Sequence, residues 1–275
     1  MAYSLVLLAA IAHAGWNAWL KSAEDRLATL AAIRLFGFAL GLAALPLVPL
    51  PSREGWAVLG AATLAHFAYY VLLLASYRVG DLSVVHGIAR GTSPLLLAVV
   101  GWLALGEHLT LAQSAAVLLS CTGIGVLVLG AGAGRRAVVL AGANGVAIAA
   151  YSLLGGIGVR RAGTVVGFQV WLEILTGAGV ILWMLVTRGP GATAAAVAQS
   201  GRGGLGAGAA AVGGYLAYLS AVSVLPIAPV AALRESSVLF SALIGTVAFG
   251  EPFGPRRIAA AALVAIGVVA LAMLG

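Results

Sequence analysis

The sequence predicts an all-α integral membrane protein with ten transmembrane helices, arranged as two inverted five-helix repeats around a central cavity. Three observations support this fold class: the composition, the spacing of the apolar runs and a long internal repeat. Of the 275 residues, 62% are hydrophobic and only 8% are charged, whereas a soluble domain carries about 25% charged residues. So few charges cannot cover a water-exposed globule, so the surroundings are a lipid bilayer.

Ten apolar runs have the length that an α-helix needs to cross the hydrocarbon layer, about 20 residues. We place them at residues 3–20, 27–50, 55–77, 82–105, 111–132, 137–158, 164–187, 203–224, 227–249 and 256–274. Short turns separate most of them, and the Gly- and Ala-rich segment 188–203 is the longest connection. The first run is expected to be a retained helix rather than a cleaved signal peptide, because no basic segment precedes it.

The basic residues are placed as in the loops of a membrane protein. The net charge of +7 is spread in single residues and pairs, unlike the dense basic face of a nucleic-acid binder, so no nucleic-acid partner is expected. The loops after the odd-numbered runs carry nine Lys and Arg residues, and the opposite loops carry three. Since positive loops stay in the cytoplasm, we expect a multi-pass protein of a bacterial-type inner membrane, with both termini outside.

The second half of the chain repeats the first. The fourth and ninth runs align so that Arg90 falls on Arg234, and the short Gly-Glu sequences that end these two runs also coincide. We therefore predict a first repeat at residues 1–132 and a second at 137–275. Five helices per repeat is an odd number, so the second repeat enters the membrane from the opposite side. This inverted arrangement is typical of secondary transporters that bind substrate near the membrane midplane.

The fourth run places polar and ionisable residues inside the membrane, where their burial costs free energy. His86, Arg90 and Ser93 share one face of a helix, and ionisable residues at this depth usually mark a functional site. Pro94 leaves the carbonyl of Arg90 without its helical donor. One interpretation is a polar stripe on a central cavity. The other is a kinked helix in which a carboxylate from elsewhere neutralises Arg90.

The ninth run carries the matching set. Arg234 and Ser237 share a face, and Glu235 points about 100° away. A guanidinium binds a carboxylate through two parallel N–H bonds, so Arg90 or Arg234 is a candidate for holding a substrate carboxylate. The open alternative is an internal ion pair between Arg90 and Glu235. On the first reading, Arg90→Ala abolishes transport and leaves the protein folded.

Two further charges lie in membrane runs at roughly matching places of the two halves. They are Arg34 in the second run and Glu173 in the seventh. The favoured interpretation is an ion pair between them. The alternative is that Glu173 is a proton-coupling carboxylate, since burial favours the neutral form of a carboxyl group.

Aromatic and polar residues on other runs are candidates for lining the cavity. Aromatic rings in a cavity suit apolar, aromatic or cationic guests, although Trp and Tyr also form interfacial belts in membranes. These candidates are His13, Trp16 and Asn17 in the first run, His66, Tyr69 and Tyr70 in the third, Tyr151 and Ser152 in the sixth, and Tyr215 and Tyr218 in the eighth. His86 has no copy in the second half, so it is a candidate for substrate choice or proton handling.

Sequence motifs of catalysis, metal binding and nucleotide binding are absent from the chain. The sequence therefore predicts no enzyme, no catalytic residues, no metal site and no cofactor.

Several short motifs resemble the drug/metabolite transporter superfamily and its EamA domains. They are the Gly-Glu turn in "LALGEHLT", its copy in "VAFGEPFG", and "AGWNAWL" in the first run. The resemblance implies a basket of helices around a central cavity lined by runs 1, 3, 4, 6, 8 and 9. It places runs 5 and 10 outside the basket, where a homodimer contact could form. Ten-helix members are often described with both termini in the cytoplasm, whereas the loop charges here predict the outside.

The resemblance, the repeat and the buried charges together predict a secondary transporter that works by alternating access. The best-known bacterial members of the superfamily export amino acids, so an amino acid is the expected substrate, and an aromatic or hydrophobic one is the narrower expectation. A multidrug or organic-cation exporter that uses Glu173 or Glu235 with the aromatic residues is the alternative. A membrane enzyme or a receptor that moves no substrate is a third reading. The expected partners are a small molecule and the lipid bilayer.

Overall fold

The fold is a bundle of helices whose bounds follow the apolar runs. The computed structural model describes residues 2–105, 110–129 and 134–250, and positions 259, 260, 262–264, 266, 267, 270 and 274. The helices are α1 (Ala2–Ser22), α2 (Arg26–Ala44), α3 (Arg53–Tyr77), α4 (Leu82–Leu105), α5 (Leu111–Leu129), α6 (Arg135–Ala162), α7 (Val165–Arg188), α8 (Pro190–Val222), α9 (Ile227–Arg234) and α10 (Ser237–Phe249). A 3₁₀ turn at Leu45–Leu47 extends α2. The predicted all-α fold class is confirmed.

The bundle is apolar outside and polar inside, as a bilayer requires. Among the described helices, α1, α2, α3, α6, α7 and the part of α8 from Gly203 are long and apolar enough to span a membrane. Leu64 and Val186 expose 73% and 77% of their surface, whereas Arg90 and Glu235 expose 1% and 0%. This pattern is the reverse of a soluble protein.

Two elements differ from the sequence expectation. The segment predicted as the longest connection is helical, because α8 begins at Pro190 and bends at Gly201, where φ is 46°. Alanine favours helix, and proline fits the first helical position. The ninth run forms two short helices, α9 and α10, joined by a tight turn. Most of the tenth run and the glutamates of both Gly-Glu motifs lie outside the described residues.

The turn between α1 and α2 is fastened to the end of α7. The carboxylate of Asp25 accepts a hydrogen bond from the backbone N–H of Ala28 at 3.0 Å, which caps α2. The guanidinium of Arg188 donates to both carboxylate oxygens of Asp25, with Nη2 at 3.0 Å from Oδ1. These bonds from Arg188 lower the pKa of Asp25 below its ordinary value.

Helices from the two halves of the chain interleave. The helix α3 packs along α6, and α1 packs along α8. The helix α2 lies against α7 and α8, while α4 lies against α5 and α6. The helices α9 and α10 contact both α1 and α4. Polar side chains from both halves therefore meet in the middle of the bundle.

Close approach of α6 to α4 depends on Gly145. A Cβ atom at this position would lie 2.7 Å from Cβ of Thr92 and 2.8 Å from the carbonyl oxygen of Ala89. We expect Gly145→Ala to lower the free energy of unfolding by about 1–3 kcal/mol through overpacking. Gly142 on the same helix has open space where a Cβ atom would lie, so Gly142→Ala should be neutral or stabilising by up to about 1 kcal/mol. Thermal unfolding in detergent compares the two, and equal midpoints would contradict the packing argument.

Candidate functional site

A central cavity lies between helices of both halves. Its empty volume is about 520 Å³, its open side included. The predicted site residues that line it are His13, Trp16, Arg34, His66, Tyr70, Tyr151, Glu173, Tyr215 and Arg234. We call this space the main cavity. Its wall combines aromatic rings with two arginines and one glutamate.

Arg234, at the end of α9, is a buried cation in this wall. It is 2% exposed, its Nη2 donates to the hydroxyl of Ser152 at 2.9 Å, and the ring centre of Tyr218 lies 4.0 Å from its guanidinium carbon. Its Nε has no hydrogen-bond partner. Within the described part of the chain, no carboxylate lies within 4.0 Å of Arg234. Arg234 therefore presents an unused donor at Nε and a positive charge with no carboxylate in contact among the described residues.

Aromatic rings pack around His66 in the same wall. The centre of the His66 ring lies 4.4 Å from that of Tyr151 and 5.1 Å from that of Tyr215. Its Nδ1 lies 2.8 Å from the carbonyl oxygen of Ala62, one helical turn earlier. A hydrogen on Nδ1 fits this contact and leaves Nε2 as an acceptor. The wall is thus both aromatic and able to hydrogen-bond.

Arg34 and Glu173 meet as an ion pair across α2 and α7. Nη1 of Arg34 lies 3.1 Å from Oε2 of Glu173 and donates to the hydroxyl of Tyr70 at 3.1 Å. The side-chain amide of Gln169 donates to the other oxygen of Glu173 at 2.8 Å. Each charge therefore has a partner, although both residues also line the main cavity.

Arg90 is paired, unlike Arg234. Its Nη1 lies 3.1 Å and 3.3 Å from the two carboxylate oxygens of Glu235. Its Nη2 contacts Nε2 of His13 on α1. The two arginines that the repeat places at equivalent positions therefore have different surroundings. Arg90 is in an internal ion pair, and Arg234 faces the main cavity.

The polar contacts continue from His13 toward α3. The side-chain amide nitrogen of Asn17 lies 2.9 Å from Nε2 of His13, and the hydroxyl of Tyr77 donates to the amide oxygen of Asn17 at 2.9 Å. We call Glu235, Arg90, His13, Asn17 and Tyr77 the internal polar chain. It links α1, α3, α4 and the α9–α10 turn.

A smaller cavity lies on the other side of His13. Its empty volume is about 190 Å³, and Asn17, His86 and Arg90 line it together with His13. His86 lies 3.3 Å from the hydroxyl of Ser237 through its Nε2. Ser93 is buried, its hydroxyl has no partner, and it lines neither of these two cavities.

Four further residues contribute to the site, and of these only Asn144 was not a candidate from the sequence. Tyr69 lines both cavities, and its hydroxyl has no partner. Asn144 lines the smaller cavity, and Ser152 and Tyr218 contact Arg234. Helical periodicity could have found Asn144, because it lies seven residues before Tyr151 and therefore on the same face of the helix.

Comparison with known proteins supports the membrane fold. Residues 1–129 match the model of the EamA-like transporter family. A solved structure named "Crystal structure of protein" has 21% sequence identity, covers 99% of both chains and gives a TM-score of 0.69, a likeness in fold. No curated protein matches the sequence. Residues 1–129 are therefore similar to an EamA-like transporter domain, and the described helices that can span a membrane make the chain a multi-pass membrane protein.

Proposed function

We propose that the protein transports amino acids, and that Arg234 binds their carboxylate group. The observation that carries this proposal is the buried guanidinium of Arg234, which lines the main cavity without a carboxylate of its own among the described residues. A buried charge without a partner is costly, and a substrate carboxylate would supply the missing anion through charge-assisted hydrogen bonds. Arg90 is not available to bind a substrate carboxylate, because it is already paired with Glu235.

The rest of the main cavity suits the other groups of an amino acid. Glu173 lines the same space, and although Arg34 and Gln169 each donate to one of its oxygens, a carboxylate has further lone pairs for an ammonium group. The rings of Trp16, His66, Tyr151 and Tyr215 offer apolar faces to a side chain. This combination favours amino acids with an aromatic or large apolar side chain.

We propose alternating access between the two predicted repeats as the transport mechanism. The packing pairs support this mechanism, because exchanging the halves converts the contact of α3 with α6 into that of α8 with α1. The family match ends at residue 129, close to the predicted end of the first repeat. The main cavity draws its lining from both halves, so movement of one half against the other would change its access.

The loop contacts support the proposed orientation, in which the loops after α1, α3 and α7 are cytoplasmic. The ammonium of Lys21 donates to the carbonyl oxygen of Gly80 at 2.7 Å, and Arg188 bonds to Asp25, so these three loops share one side. On the other side, Nη2 of Arg160 donates to the carbonyl oxygen of Leu225 at 2.9 Å. A reporter fused to either terminus and active only outside the cytoplasm would test the orientation.

Counterflow in liposomes tests the proposed function. Vesicles containing the protein are loaded with an unlabelled amino acid, and entry of labelled L-phenylalanine, L-tyrosine, L-leucine or L-alanine is followed. We expect exchange, fastest for the aromatic members. L-Phenylalaninamide is the matched control because a neutral amide replaces its carboxylate, and it should not compete. Exchange of none of the amino acids would contradict the proposal.

A cation exporter is the second candidate, and it depends on one observation. Glu173 and the aromatic rings line the main cavity together, and such rings attract cations. This function predicts that tetraphenylphosphonium exchanges and that amino acids do not compete with it. Including this ion in the counterflow panel separates the two candidates.

A further inference from the structure

We propose that His13 is a proton-binding site of the transport cycle, and that a proton on His13 and an anionic group at Arg234 bind together. The inference rests on the proposed function, since it takes the substrate carboxylate as the anion. It assigns to the protein a coupling ion, the proton, and a direction of coupling, symport.

His13 occupies a place that protons can reach and that links two parts of the molecule. It lines both the main cavity and the smaller cavity, and it is only partly buried. Tyr69 and Asn144 line the smaller cavity with buried polar atoms that have no protein partner. Their presence makes this space polar enough to admit water.

The hydrogen bonds of His13 define what a proton would change. Its Nε2 faces two donors, the amide of Asn17 at 2.9 Å and the guanidinium of Arg90. Only the neutral imidazole with a hydrogen on Nδ1 can accept there, because the protonated ring has no acceptor. A proton taken from water at Nε2 therefore places two cations in contact and separates His13 from Arg90.

Each partner that His13 would release keeps another bond. Arg90 stays paired with the carboxylate of Glu235, and the amide of Asn17 also donates to the backbone oxygen of His13 at 2.9 Å. Protonation thus breaks the internal polar chain at one point, between α1 and α4. Separation at that point changes how a helix of the first half sits against the α9–α10 turn.

The surrounding charges explain why an anion and a proton would bind together. The titratable and charged groups that share a cavity with His13 come from seven helices: Arg34 (α2), His66, Tyr69 and Tyr70 (α3), His86 and Arg90 (α4), Tyr151 (α6), Glu173 (α7), Tyr215 (α8) and Arg234 (α9). Three more lie one contact further away: Tyr77 on Asn17, Tyr218 on Arg234, and Glu235 on Arg90. Carboxylates balance Arg34 and Arg90. Of these three arginines, Arg234 is the one with no carboxylate in contact among the described residues, so its charge opposes a proton on His13 without local compensation. An anion at Arg234 removes this opposition, and a proton on His13 strengthens anion binding by the same factor.

Protonation of the other histidines or carboxylates of this region would not break a contact between helices in the same way. Glu173 and Glu235 are each held by an arginine. His86 contacts the hydroxyl of Ser237, which can turn to accept or donate. His66 has its Nε2 open when Nδ1 donates to Ala62. Protonation of either histidine therefore displaces no partner, whereas protonation of His13 must.

An imposed pH gradient tests the coupling, and counterflow at equal pH serves as its reference. With wild-type liposomes, an acidic exterior should drive accumulation of labelled L-phenylalanine, and an alkaline exterior should not. His13→Gln keeps a side-chain acceptor that cannot be protonated, so an acidic exterior should no longer raise its accumulation of label above the level reached at equal pH. His108→Gln, which changes a histidine between α4 and α5 in the sequence, should behave like the wild type.

Three results would overturn the inference while leaving the proposed function intact. They are counterflow by the wild type without a response to the gradient, accumulation driven by an alkaline exterior, and accumulation retained by His13→Gln. Absence of counterflow in the wild type would instead reject the proposed function and, with it, the coupling.

A spectroscopic measurement covers the case in which His13→Gln fails to fold. The rings of His13 and Trp16 lie 5.2 Å apart, so protonation of the imidazole should quench the fluorescence of Trp16. The difference between wild-type and Trp16→Phe protein in detergent reports this indole as the pH is lowered. Added L-phenylalanine should shift the quenching midpoint to higher pH. No quenching, or a midpoint that the amino acid leaves unchanged, would overturn the inference.

Discussion

The Arg234→Gln variant is expected to lose amino-acid counterflow by about 30-fold or more while remaining folded in the membrane. Removing one partner of a buried charge pair between binding molecules costs about 2–5 kcal/mol, and each 1.4 kcal/mol is about tenfold in affinity. The variant also removes a cation that no described carboxylate compensates. Its thermal midpoint in detergent should therefore equal or exceed that of the wild type.

Arg234→Lys is the matched control for this prediction. It keeps the positive charge but lacks the planar fork that binds a carboxylate through two bonds, so it should retain partial exchange at reduced affinity. Full exchange by Arg234→Gln would remove Arg234 from the site. A midpoint that falls sharply in Arg234→Gln would show that the residue stabilises the fold and would weaken the case for substrate binding.

Arg90→Ala is expected to destabilise the protein by about 3–5 kcal/mol, because it leaves the carboxylate of Glu235 buried without a cation. The repeat alone predicts a different outcome, in which the variant is folded and only transport is lost. The ion pair changes that expectation, since Arg90 and Glu235 are both about 1% exposed in their side chains. Thermal unfolding in detergent measures the loss.

The double variant Arg90→Met with Glu235→Gln separates stability from transport. Replacing both members of a buried pair by neutral groups is often close to neutral in stability, so the double variant should recover most of the midpoint lost in Arg90→Ala. Recovery of the midpoint without recovery of exchange would give the pair a role in the transport cycle. Equal instability of the single and double variants would show that the loss of stability does not come from the unpaired carboxylate of Glu235.

Helix positions were predictable because hydrophobic length alone determines them in a membrane. The fourth run, residues 82–105, coincides with α4. The helical start of α8 was missed because its small residues, which include Gly191 and Gly201, fall below the hydropathy of a span and resemble a connection. Their helical conformation follows from alanine propensity, a weaker signal than hydropathy.

The charged residues of the site were predictable, but their pairing was not. An internal repeat places Arg90 and Arg234 at equivalent positions, yet of these two only Arg90 meets a described carboxylate. That difference depends on Glu235, which has no acidic copy in the first half because Gly91 stands opposite. The helical period gives the direction of each side chain around its own helix. Which carboxylate an arginine contacts depends instead on the depth and tilt of the neighbouring helix.

The turn between α9 and α10 directs the side chains of Arg234 and Glu235, which are neighbours in the chain, into different surroundings. Arg234 lines the main cavity, while Glu235 meets Arg90. The turn is tightened, since the N–H groups of Ser236 and Val238 bond to carbonyl oxygens three residues earlier, at 3.1 Å and 3.0 Å. Because these hydrogen bonds hold the turn together, rotation of the turn as a unit moves both side chains. A rotation of the turn that separates Glu235 from Arg90 therefore also changes the direction of the Arg234 guanidinium in the main cavity.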